Sequence, residues 1–361
     1  MKDLSARPQP TPAALGYRMP AEWHPHESTW LVWPKNPATW VDRVPQIQET
    51  YLRMLALLTP NERVDLLVDD AQTENAVRRK LEGVNVAADQ IAFHQIKTVD
   101  SWIRDYGPNF LLRQTEEEEE EVELAYNHWT FNAWGNKYED LKADAAVLEK
   151  LRPILGVPRF VPGLVLEGGS IDVSGKGICL TTKQCLLNPN RKPSCSQSEI
   201  EQYLKDYLGV HQILWLEEGL AGDDTDGHVD DIARFVNART IVCALEEDST
   251  DENYEPLREN YGGLQAARDL DGTPFEIIPL PMPGRLETSD GRLPASYANF
   301  YIANGVVLMP TFGHANDSRT VGILQNLFPH RKVVGMDCRA MVWGLGTLHC
   351  LTQQQPARIS G

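Results

Sequence analysis

Apolar residues are distributed along the chain in two patterns, one typical of helices and one typical of buried strands. Residues 46–58 and 71–82 place apolar side chains at helical spacing, and the apolar run Val64–Val68 between them is typical of a buried strand. The same alternation continues, with further strands predicted at Phe93–Val99, Ile178–Leu180, Ile213–Leu216, Thr240–Leu245, Glu276–Leu280 and Gly305–Met309, and further helices at 139–151, 197–207 and 318–327. Strands and helices that alternate from end to end predict an α/β fold.

Two segments interrupt this pattern and are interpreted as surface insertions. The glutamate run Glu116–Glu121 predicts a solvated loop or strand extension, and residues 283–295, rich in proline, glycine and charge, predict a long loop. Neither resembles a domain linker, and no internal repeat is recognisable by eye. Residues 1–15 are therefore expected to be a disordered lead-in, and residues 16–361 a single catalytic domain.

Composition narrows the classes of function. The 361 residues carry 51 acidic against 34 basic side chains, a formal net charge of −17. A field of that sign disfavours nucleic acid and anionic membranes and favours small cations, although solubility alone explains the same balance. No apolar run is long enough for a transmembrane helix. Scattered cysteines and an N-terminus without an apolar signal stretch predict reduced thiols and a cytoplasmic location, and the lack of a C-x-x-C pair argues against structural zinc.

Four short segments place reactive side chains beside glycine or turn residues: Trp102–Pro108, Leu166–Asp172, Gly227–Asp231 and Gly346–Cys350. In the third segment His228 and Asp230 lie two residues apart, which on a strand would direct both side chains to one face. Taken singly, each segment has an ordinary structural explanation. A lone cysteine such as Cys350 is commonly a small buried hydrophobe, and Asp105 before Gly-Pro commonly forms a turn.

Taken together, these segments resemble the agmatine deiminase family of the guanidine-modifying superfamily. The matching motifs run in order through nearly the whole chain: Met19–Trp23, Trp30–Pro34, Trp102–Pro108, Phe131–Gly135, Leu166–Ile171, Cys185–Arg191, Gly222–Asp231, Ser296–Gly305 and His349–Pro356. The family usually has consecutive glycines and an asparagine ahead of His-Cys, whereas this chain has Leu345 and Thr347 there. The resemblance implies a single-domain, five-bladed, pseudo-symmetric α/β propeller (the pentein fold) with a central site.

The resemblance also implies a reaction, the hydrolysis of agmatine to N-carbamoylputrescine and ammonia in putrescine biosynthesis. Cys350 would be the nucleophile that carries a covalent amidino intermediate. Asp105 and Asp230 would clamp the planar guanidinium, and His228 would move the protons. Neither a metal nor an organic cofactor is expected, and a homodimer or higher homo-oligomer is a further expectation.

The residues around the substrate are assigned less directly. By resemblance, Glu167 would orient His228, and Trp102 would pack against the methylene chain of the substrate. Asp224 and Asp226 are candidates for its second amine, but both could equally shape their own loop. Three alternatives stay open: a bacterial-type peptidylarginine deiminase, a polyamine-binding protein without turnover, and a metal-dependent amidohydrolase with the ligands His24, His26, His228 and Asp230.

Overall fold

The computed structural model describes residues 10–114, 122–191 and 195–359. Their strands, in chain order, are β1 His26–Val32, β2 Arg63–Val68, β3 Ile91–Gln95, β4 Asn109–Gln114, β5 Val122–Asn127, β6 Arg159–Phe160, β7 Asp172–Val173, β8 Ile178–Thr182, β9 Gln212–Leu216, β10 Ala233–Phe235, β11 Thr240–Leu245, β12 Glu276–Pro281, β13 Glu287–Thr288, β14 Gly291–Arg292, β15 Tyr301–Ile302, β16 Val306–Thr311, β17 Lys332–Asp337 and β18 Gln353–Pro356.

The helices of the same ranges include both long and very short ones. The α-helices are α1 Val44–Leu58, α2 Ala71–Leu81, α3 Ile103–Tyr106, α4 Ala133–Asn136, α5 Val147–Leu155, α6 Lys183–Leu186, α7 Gln197–Leu208, α8 Tyr254–Ala266 and α9 Asn316–Leu327. The 3₁₀ helices are Ala13–Leu15, Ala88–Gln90, Leu141–Ala146, Gly168–Ser170, Val229–Asp231 and Met341–Gly344. None of these helices is both long and apolar enough to cross a membrane.

Strand pairing repeats one pattern five times in the described part of the chain. The sheets β4-β5-β6, β7-β8-β9, β10-β11-β12 and β15-β16-β17 each join an antiparallel pair to a parallel pair. The sheet β18-β1-β2 does the same and adds β3 at its edge. The predicted α/β class is confirmed. The repeat, invisible by eye in the sequence, lies in the pairing of strands rather than in residue identity.

Most predicted elements lie within a few residues of the observed ones. The helix predicted at 46–58 is α1, which buries Ile47, Tyr51 and Leu55 on one face. The helix predicted at 197–207 is α7, where Ser196 and Glu199 form a capping box. The helix predicted at 139–151 is instead the 3₁₀ segment Leu141–Ala146 followed by α5.

The predicted insertions and the lead-in have mixed outcomes. The loop expected at 283–295 contains the small hairpin β13–β14. The glutamate run Glu116–Glu121 and residues 1–9 lie outside the described residues. Within the expected lead-in, residues Ala13–Leu15 form a 3₁₀ helix that ends at Gly16 in a left-handed conformation.

Short turns rather than long elements bring together the motifs named in the sequence analysis. The helix α3 contacts the 3₁₀ turn Gly168–Ser170, and that turn contacts the 3₁₀ turn Val229–Asp231. The strand β18, which follows the C-terminal cysteine motif, pairs with β1 at the edge of the first sheet. Four segments distant in sequence therefore meet between the sheets.

Candidate active site

Four of the predicted side chains come together around one point. The Sγ atom of Cys350 lies 3.7 Å from Oδ2 of Asp230, and Nδ1 of His228 lies 3.8 Å from Oδ1 of Asp105. A Cβ atom added at Gly169 would lie 2.6 Å from His228 Nδ1 and 3.0 Å from a carboxylate oxygen of each aspartate. Any side chain at this position would therefore collide with the imidazole, so glycine allows the acids and the imidazole to pack together.

Asp105 is held by donors on both of its oxygens. Its Oδ2 accepts a hydrogen bond from Nε1 of Trp134 at 2.9 Å, and its Oδ1 accepts one from the backbone N–H of Gly169 at 3.0 Å. Burial raises the pKa of Asp105 to about 6; His228 opposes this rise, and the neighbouring charges of Asp230 and Glu167 add to it. The carboxylate is therefore fixed in place and easily protonated.

His228 does not lie on a strand. The prediction that its spacing to Asp230 reflects one face of a strand is wrong, because His228 precedes the 3₁₀ turn Val229–Asp231. The turn forms because the backbone N–H of His228 donates to Oδ2 of Asp223 at 3.1 Å and to Oγ1 of Thr225 at 3.2 Å. The side chains of His228 and Asp230 still face one site, since His228 lies immediately before the 3₁₀ turn and Asp230 lies within it.

The imidazole of His228 lies between two acids without a hydrogen bond to either. Its Nε2 lies 3.9 Å from Oε2 of Glu167, on the side away from Asp105. In the described part of the chain, neither ring nitrogen has a hydrogen-bond partner. Burial alone would lower the pKa of His228, but Asp105, Cys185 and Glu167 raise it well above its ordinary value. Two buried, unpaired nitrogens are costly and indicate a group built to meet a ligand.

Glu167 lies on the side of His228 away from Asp105. Nε of Arg191 lies 2.9 and 3.2 Å from its two oxygens. Burial raises the pKa of Glu167, but Arg191 and His228 together hold it below its ordinary value. Glu167 also belongs to the one group of three side chains among the described residues that could hold a metal ion, with Cys185 and His228. Because Arg191 already neutralises this carboxylate, the group is poorly suited to a cation.

The metal-ligand set considered from the sequence does not assemble. Neither His24 nor His26 belongs to that group of three. Nε2 of His24 lies 3.0 Å from the carbonyl oxygen of Ala357, and Nε2 of His26 lies 2.7 Å from the carbonyl oxygen of Glu22. Both rings are thus occupied by backbone contacts.

A buried ion network behind Asp230 was not predicted. Nδ1 of His349 lies 2.6 Å from Oδ2 of Asp230, and its Nε2 lies 2.7 Å from Oε2 of Glu22. Each ring nitrogen of His349 thus faces a carboxylate oxygen, which fixes the orientation of the imidazole. Burial raises the pKa of Asp230, but His349 outweighs that effect and lowers it. Oδ1 of Asp230 keeps no partner in the described residues.

Arg234 anchors the other end of this network. Its Nη2 donates to Oε2 of Glu22 at 2.8 Å, its Nε donates to Asp172, and its Nη1 donates to the carbonyl oxygen of Phe300 at 2.8 Å. Nη2 of Arg104 lies 3.6 Å from the same Glu22 oxygen. The side chain of Arg234 is fully buried, and the carboxylates of Glu22 and Asp172 balance its charge.

Cys350 meets an environment that disfavours its thiolate. Burial raises the pKa of the thiol well above its ordinary value, and the charges of Asp230, Asp231 and Asp105 raise it further. One described side chain acts in the other direction: Nδ2 of Asn299 lies 3.1 Å from Sγ of Cys350. In the folded chain by itself, the sulfur is therefore mainly a thiol at neutral pH.

A cavity of about 330 Å³ opens from Cys350 and Asp105. Its lining is aromatic and acidic: Trp102, Trp134, Tyr138, Leu141, Trp343, Leu345, Asp140 and Asp224 contribute to it. No lysine, arginine or histidine belongs to its lining among the described residues. Such a cavity is suited to a cation with an apolar middle.

The two acids considered for the substrate amine have different positions. Asp224 lines the cavity, and its Oδ2 accepts a hydrogen bond from the hydroxyl of Tyr138. Asp226 is not part of the lining; its oxygens lie 2.7 Å from Nζ of Lys137 and 2.5 Å from Nη1 of Arg191. The geometry favours Asp224 over Asp226 for contact with a ligand.

The two residues that depart from the family pattern before the cysteine, Leu345 and Thr347, each have a well-defined conformation. Leu345 adopts φ of 66°, a left-handed backbone that glycine takes without strain and leucine rarely does. Its side chain lines the cavity. Thr347 is buried, and its hydroxyl donates to Oδ1 of Asn299 at 2.8 Å. The loop is thus more constrained than a run of glycines would be.

Similarity to known proteins extends along nearly the whole chain. The agmatine deiminase of Medicago truncatula is 40% identical over 374 residues, which cover 96% of this chain and 98% of that protein. A sequence profile of the Porphyromonas-type peptidyl-arginine deiminase family matches residues 18–356. The chain belongs to this family. The resemblance inferred from the motifs is thereby confirmed.

Solved structures similar to this member of the family include agmatine deiminases. That of Enterococcus faecalis has a TM-score of 0.88 and 32% identity, covering 98% of this chain and 99% of the other. A cysteine-to-serine variant of the agmatine deiminase of C. jejuni, with substrate bound, has a TM-score of 0.83 and 30% identity, covering 95% and 97%. The α/β fold of the deiminase family is thus shared over the full length.

The buried ion network predicts a large effect of removing its arginine. In Arg234→Met, the carboxylates of Glu22 and Asp172 would lose their main counter-charge, so the free energy of unfolding should fall by about 3–5 kcal/mol. Urea unfolding measures this change. Arg339→Met, which breaks an exposed pair with Asp337, is the matched control and should cost at most about 1 kcal/mol. Equal stability of the two variants would contradict the prediction.

Proposed function

We propose that this protein hydrolyses agmatine to N-carbamoylputrescine and ammonia, a step toward putrescine, with Cys350 as nucleophile. The observation that carries the proposal is the meeting of a thiol, an imidazole and two carboxylates at one end of an acidic, aromatic cavity. Asp105, His228 and Asp230 are the other members of that group. Full-length similarity to agmatine deiminases supports the same reaction.

Binding of the guanidinium would use Asp105 and Asp230. A guanidinium is planar and permanently charged, and carboxylates bind its N–H groups in pairs. Asp105 has each oxygen engaged by only one donor, and Oδ1 of Asp230 has none among the described residues. Both carboxylates thus keep acceptor capacity for the N–H groups of a flat cation.

Binding of the cation would also activate the thiol. The acids that raise the pKa of Cys350 would be neutralised by the guanidinium, and a positive charge beside the sulfur favours the thiolate. Because His228 already carries its proton, the thiol would lose its proton to solvent. The resulting thiolate would then form a bond to the guanidinium carbon, giving a tetrahedral adduct. His228, protonated because its pKa is raised, would transfer a proton to the departing nitrogen, which leaves as ammonia.

The second half of the reaction would release the product. Loss of ammonia leaves an amidino group bonded to Cys350, and His228 is then neutral. His228 would accept a proton from a water molecule that adds to the amidino carbon, and the carbon–sulfur bond would break to give N-carbamoylputrescine and the thiol. Glu167 lies 3.9 Å from Nε2 of His228 and would keep the ring in place through both steps.

The lining of the cavity supports agmatine over free arginine. Agmatine carries an amine where arginine carries an amine and a carboxylate. The cavity offers Asp224 and Asp140, and no basic side chain lines it among the described residues. Lys137, next to Tyr138 in sequence, is already paired with Asp226. The ring of Trp102 would cover the methylene chain, as the sequence predicted.

The architecture completes the proposal. The five sheets of like pairing would surround the site as the blades of a five-bladed α/β propeller, all within one domain. Such an arrangement explains why the site residues come from short turns at the ends of different sheets. The homo-oligomer expected from the resemblance remains a prediction for solution measurements.

The alternative that an observation favours is a peptidylarginine deiminase, since that is the activity in the family description. The two reactions share one site and differ in the tail of the substrate. We expect ammonia and ureido product from agmatine and little or none from free arginine or an arginine peptide. Cys350→Ala should remove this activity entirely, because no other nucleophile replaces the thiolate.

Controls make this test decisive. Cys243→Ala, at a buried cysteine in β11, should retain turnover. Faster turnover of the arginine peptide than of agmatine would show that the protein is a peptidylarginine deiminase instead. Agmatine binding without turnover in the unmodified protein would instead indicate a polyamine-binding protein, and turnover by Cys350→Ala would refute the mechanism.

The pKa of Asp105 predicts an acid limit to activity. Because this pKa is raised to about 6, the free protein loses the charge of Asp105 as the pH falls through that value. Ionisation of the Cys350 thiol already makes kcat/KM for agmatine rise with pH, and below about pH 6 protonation of Asp105 should add a further fall of about tenfold per pH unit. The limit in kcat should lie lower, because the bound cation stabilises the carboxylate. Rates measured across the pH range check both limits.

A matched variant identifies the titrating group. Trp134→Phe removes the indole N–H that stabilises the charged form of Asp105, so the acid limit of kcat/KM should move to higher pH. An acid limit near the ordinary aspartate pKa of about 4, or one that Trp134→Phe leaves in place, would contradict the assignment.

The position of Asp224 predicts its contribution to substrate affinity. Asp224→Asn keeps an acceptor for the Tyr138 hydroxyl but removes the charge from the cavity. KM for agmatine should rise about tenfold, the effect of one lost charge-assisted contact, while kcat changes little. Steady-state kinetics measure both. Asp248→Asn removes an equal charge at a remote exposed position and should leave KM as it was; a similar rise in both variants would refute a direct contact.

A further inference from the structure

One amide group faces the sulfur of Cys350 from outside the predicted catalytic set. Nδ2 of Asn299 lies 3.1 Å from Sγ, and the Asn299 side chain is almost fully buried. The acids that act most strongly on the sulfur come from two elements, Asp105 on α3 and Asp230 with Asp231 on the 3₁₀ turn, and the Asn299 side chain also contacts Asp231. Asn299 is thus a donor among groups that repel negative charge.

The orientation of this amide is determined by its other end. Oδ1 of Asn299 accepts a hydrogen bond from the hydroxyl of Thr347 at 2.8 Å and another from the backbone N–H of His349 at 3.1 Å. Two donors on the oxygen oblige the amide to direct its NH₂ group to the sulfur. Thr347 and His349 belong to the same loop as Cys350, so the loop itself aligns the amide.

We propose that Asn299 is a catalytic residue that donates a hydrogen bond to the Cys350 thiolate, and that Thr347 is the positioning residue that aligns its amide. This inference rests on the proposed role of Cys350 as nucleophile. It gives a specific task to Thr347, one of the two departures from the family pattern.

The chemistry of the contact favours the charged sulfur. A hydrogen bond to a thiolate is charge-assisted and stronger than one to a neutral thiol, so it lowers the free energy of the thiolate relative to the thiol. The amide transfers no proton, and the contact weakens when the sulfur forms its bond to the guanidinium carbon. It also fixes the direction in which the sulfur points.

A purely structural task for Asn299 is the competing interpretation. Its backbone carbonyl accepts from the N–H of His349 at 3.2 Å, so Asn299 also holds the loop. Asn299→Asp keeps the acceptors for Thr347 and His349 but has no N–H for the sulfur, and Asn299→Leu removes the amide without adding a charge. Because a carboxylate would itself raise the thiol pKa, a shift is assigned to the lost hydrogen bond only where Asn299→Leu shows it too. Thr347→Val removes only the hydroxyl, and Thr347→Ser restores it.

The experiment measures the reactivity of Cys350 directly, without agmatine. Iodoacetamide alkylates thiolates, so its rate constant as a function of pH reports the thiol pKa, and mass spectrometry locates the adduct on Cys350. We expect alkylation at neutral pH to slow by about tenfold or more in Asn299→Asp and by about threefold in Thr347→Val, with both pH midpoints moved upward. Thr347→Ser should remain within about twofold of the unmodified protein.

A remote threonine provides the matched control. Thr320→Val changes a buried hydroxyl on α9 that donates to the carbonyl oxygen of Asn316, and it should leave the alkylation profile unchanged. Circular dichroism and urea unfolding establish that each variant is folded. If Asn299→Asp does not fold, the Thr347 pair decides the question by itself.

The outcomes separate this inference from the proposed function. Unchanged midpoints in folded Asn299→Asp and Thr347→Val would overturn the inference while leaving Cys350 as nucleophile. A shift in Asn299→Asp with none in Thr347→Val would overturn the positioning role of Thr347. Turnover that survives Cys350→Ala would instead defeat the proposed function, whatever the alkylation rates show.

Discussion

Buried negative charge around one sulfur is the constraint on which the rest of the site depends. Asp105, Asp230 and Asp231 lie close enough to Cys350 to raise its pKa, and water cannot screen them because all are buried. Such a cluster is stable only with compensating cations. The protein supplies one behind the acids, the guanidinium of Arg234, which lowers the pKa of Asp230, and in the proposed reaction the substrate supplies the other in front of them.

The backbone meets this constraint with short turns fixed by side chains. The helix α3 has only four residues, and the 3₁₀ turns at Gly168–Ser170 and Val229–Asp231 have three each. A short turn delivers one or two side chains to the site and then changes direction, whereas a strand or long helix repeats the same face at a fixed spacing. From this turn both Asp230 and Asp231 act on the sulfur of Cys350, and burial together with Asp230 raises the pKa of Asp231 well above its ordinary value.

The sequence predicted the regular elements better than the site. The strand Val64–Val68 and the helix at 197–207 follow from local periodicity, because one apolar face of each is buried. The motif residues were found because they lie beside glycines. Glu22 and His349 were not paired, since 327 positions separate them and only the fold brings them together. Asn299 carried no local signal either, as an asparagine within an apolar segment is ordinary.

The balance of charges also explains how the reactive cysteine is protected from oxidation when no substrate is bound. In the proposed reaction, the acids keep Cys350 protonated until a cation enters, so the nucleophile forms mainly in the complex. The acids destabilise the thiolate, whereas the hydrogen bond from the Asn299 amide stabilises it. A hydrogen bond of intermediate strength serves the enzyme best. A stronger donor would leave a free thiolate exposed to oxidation, whereas its loss would leave the substrate charge alone to ionise the thiol. A neutral amide aligned by a neutral hydroxyl provides a hydrogen bond of this intermediate strength, and the strength is constant because neither group changes charge with pH.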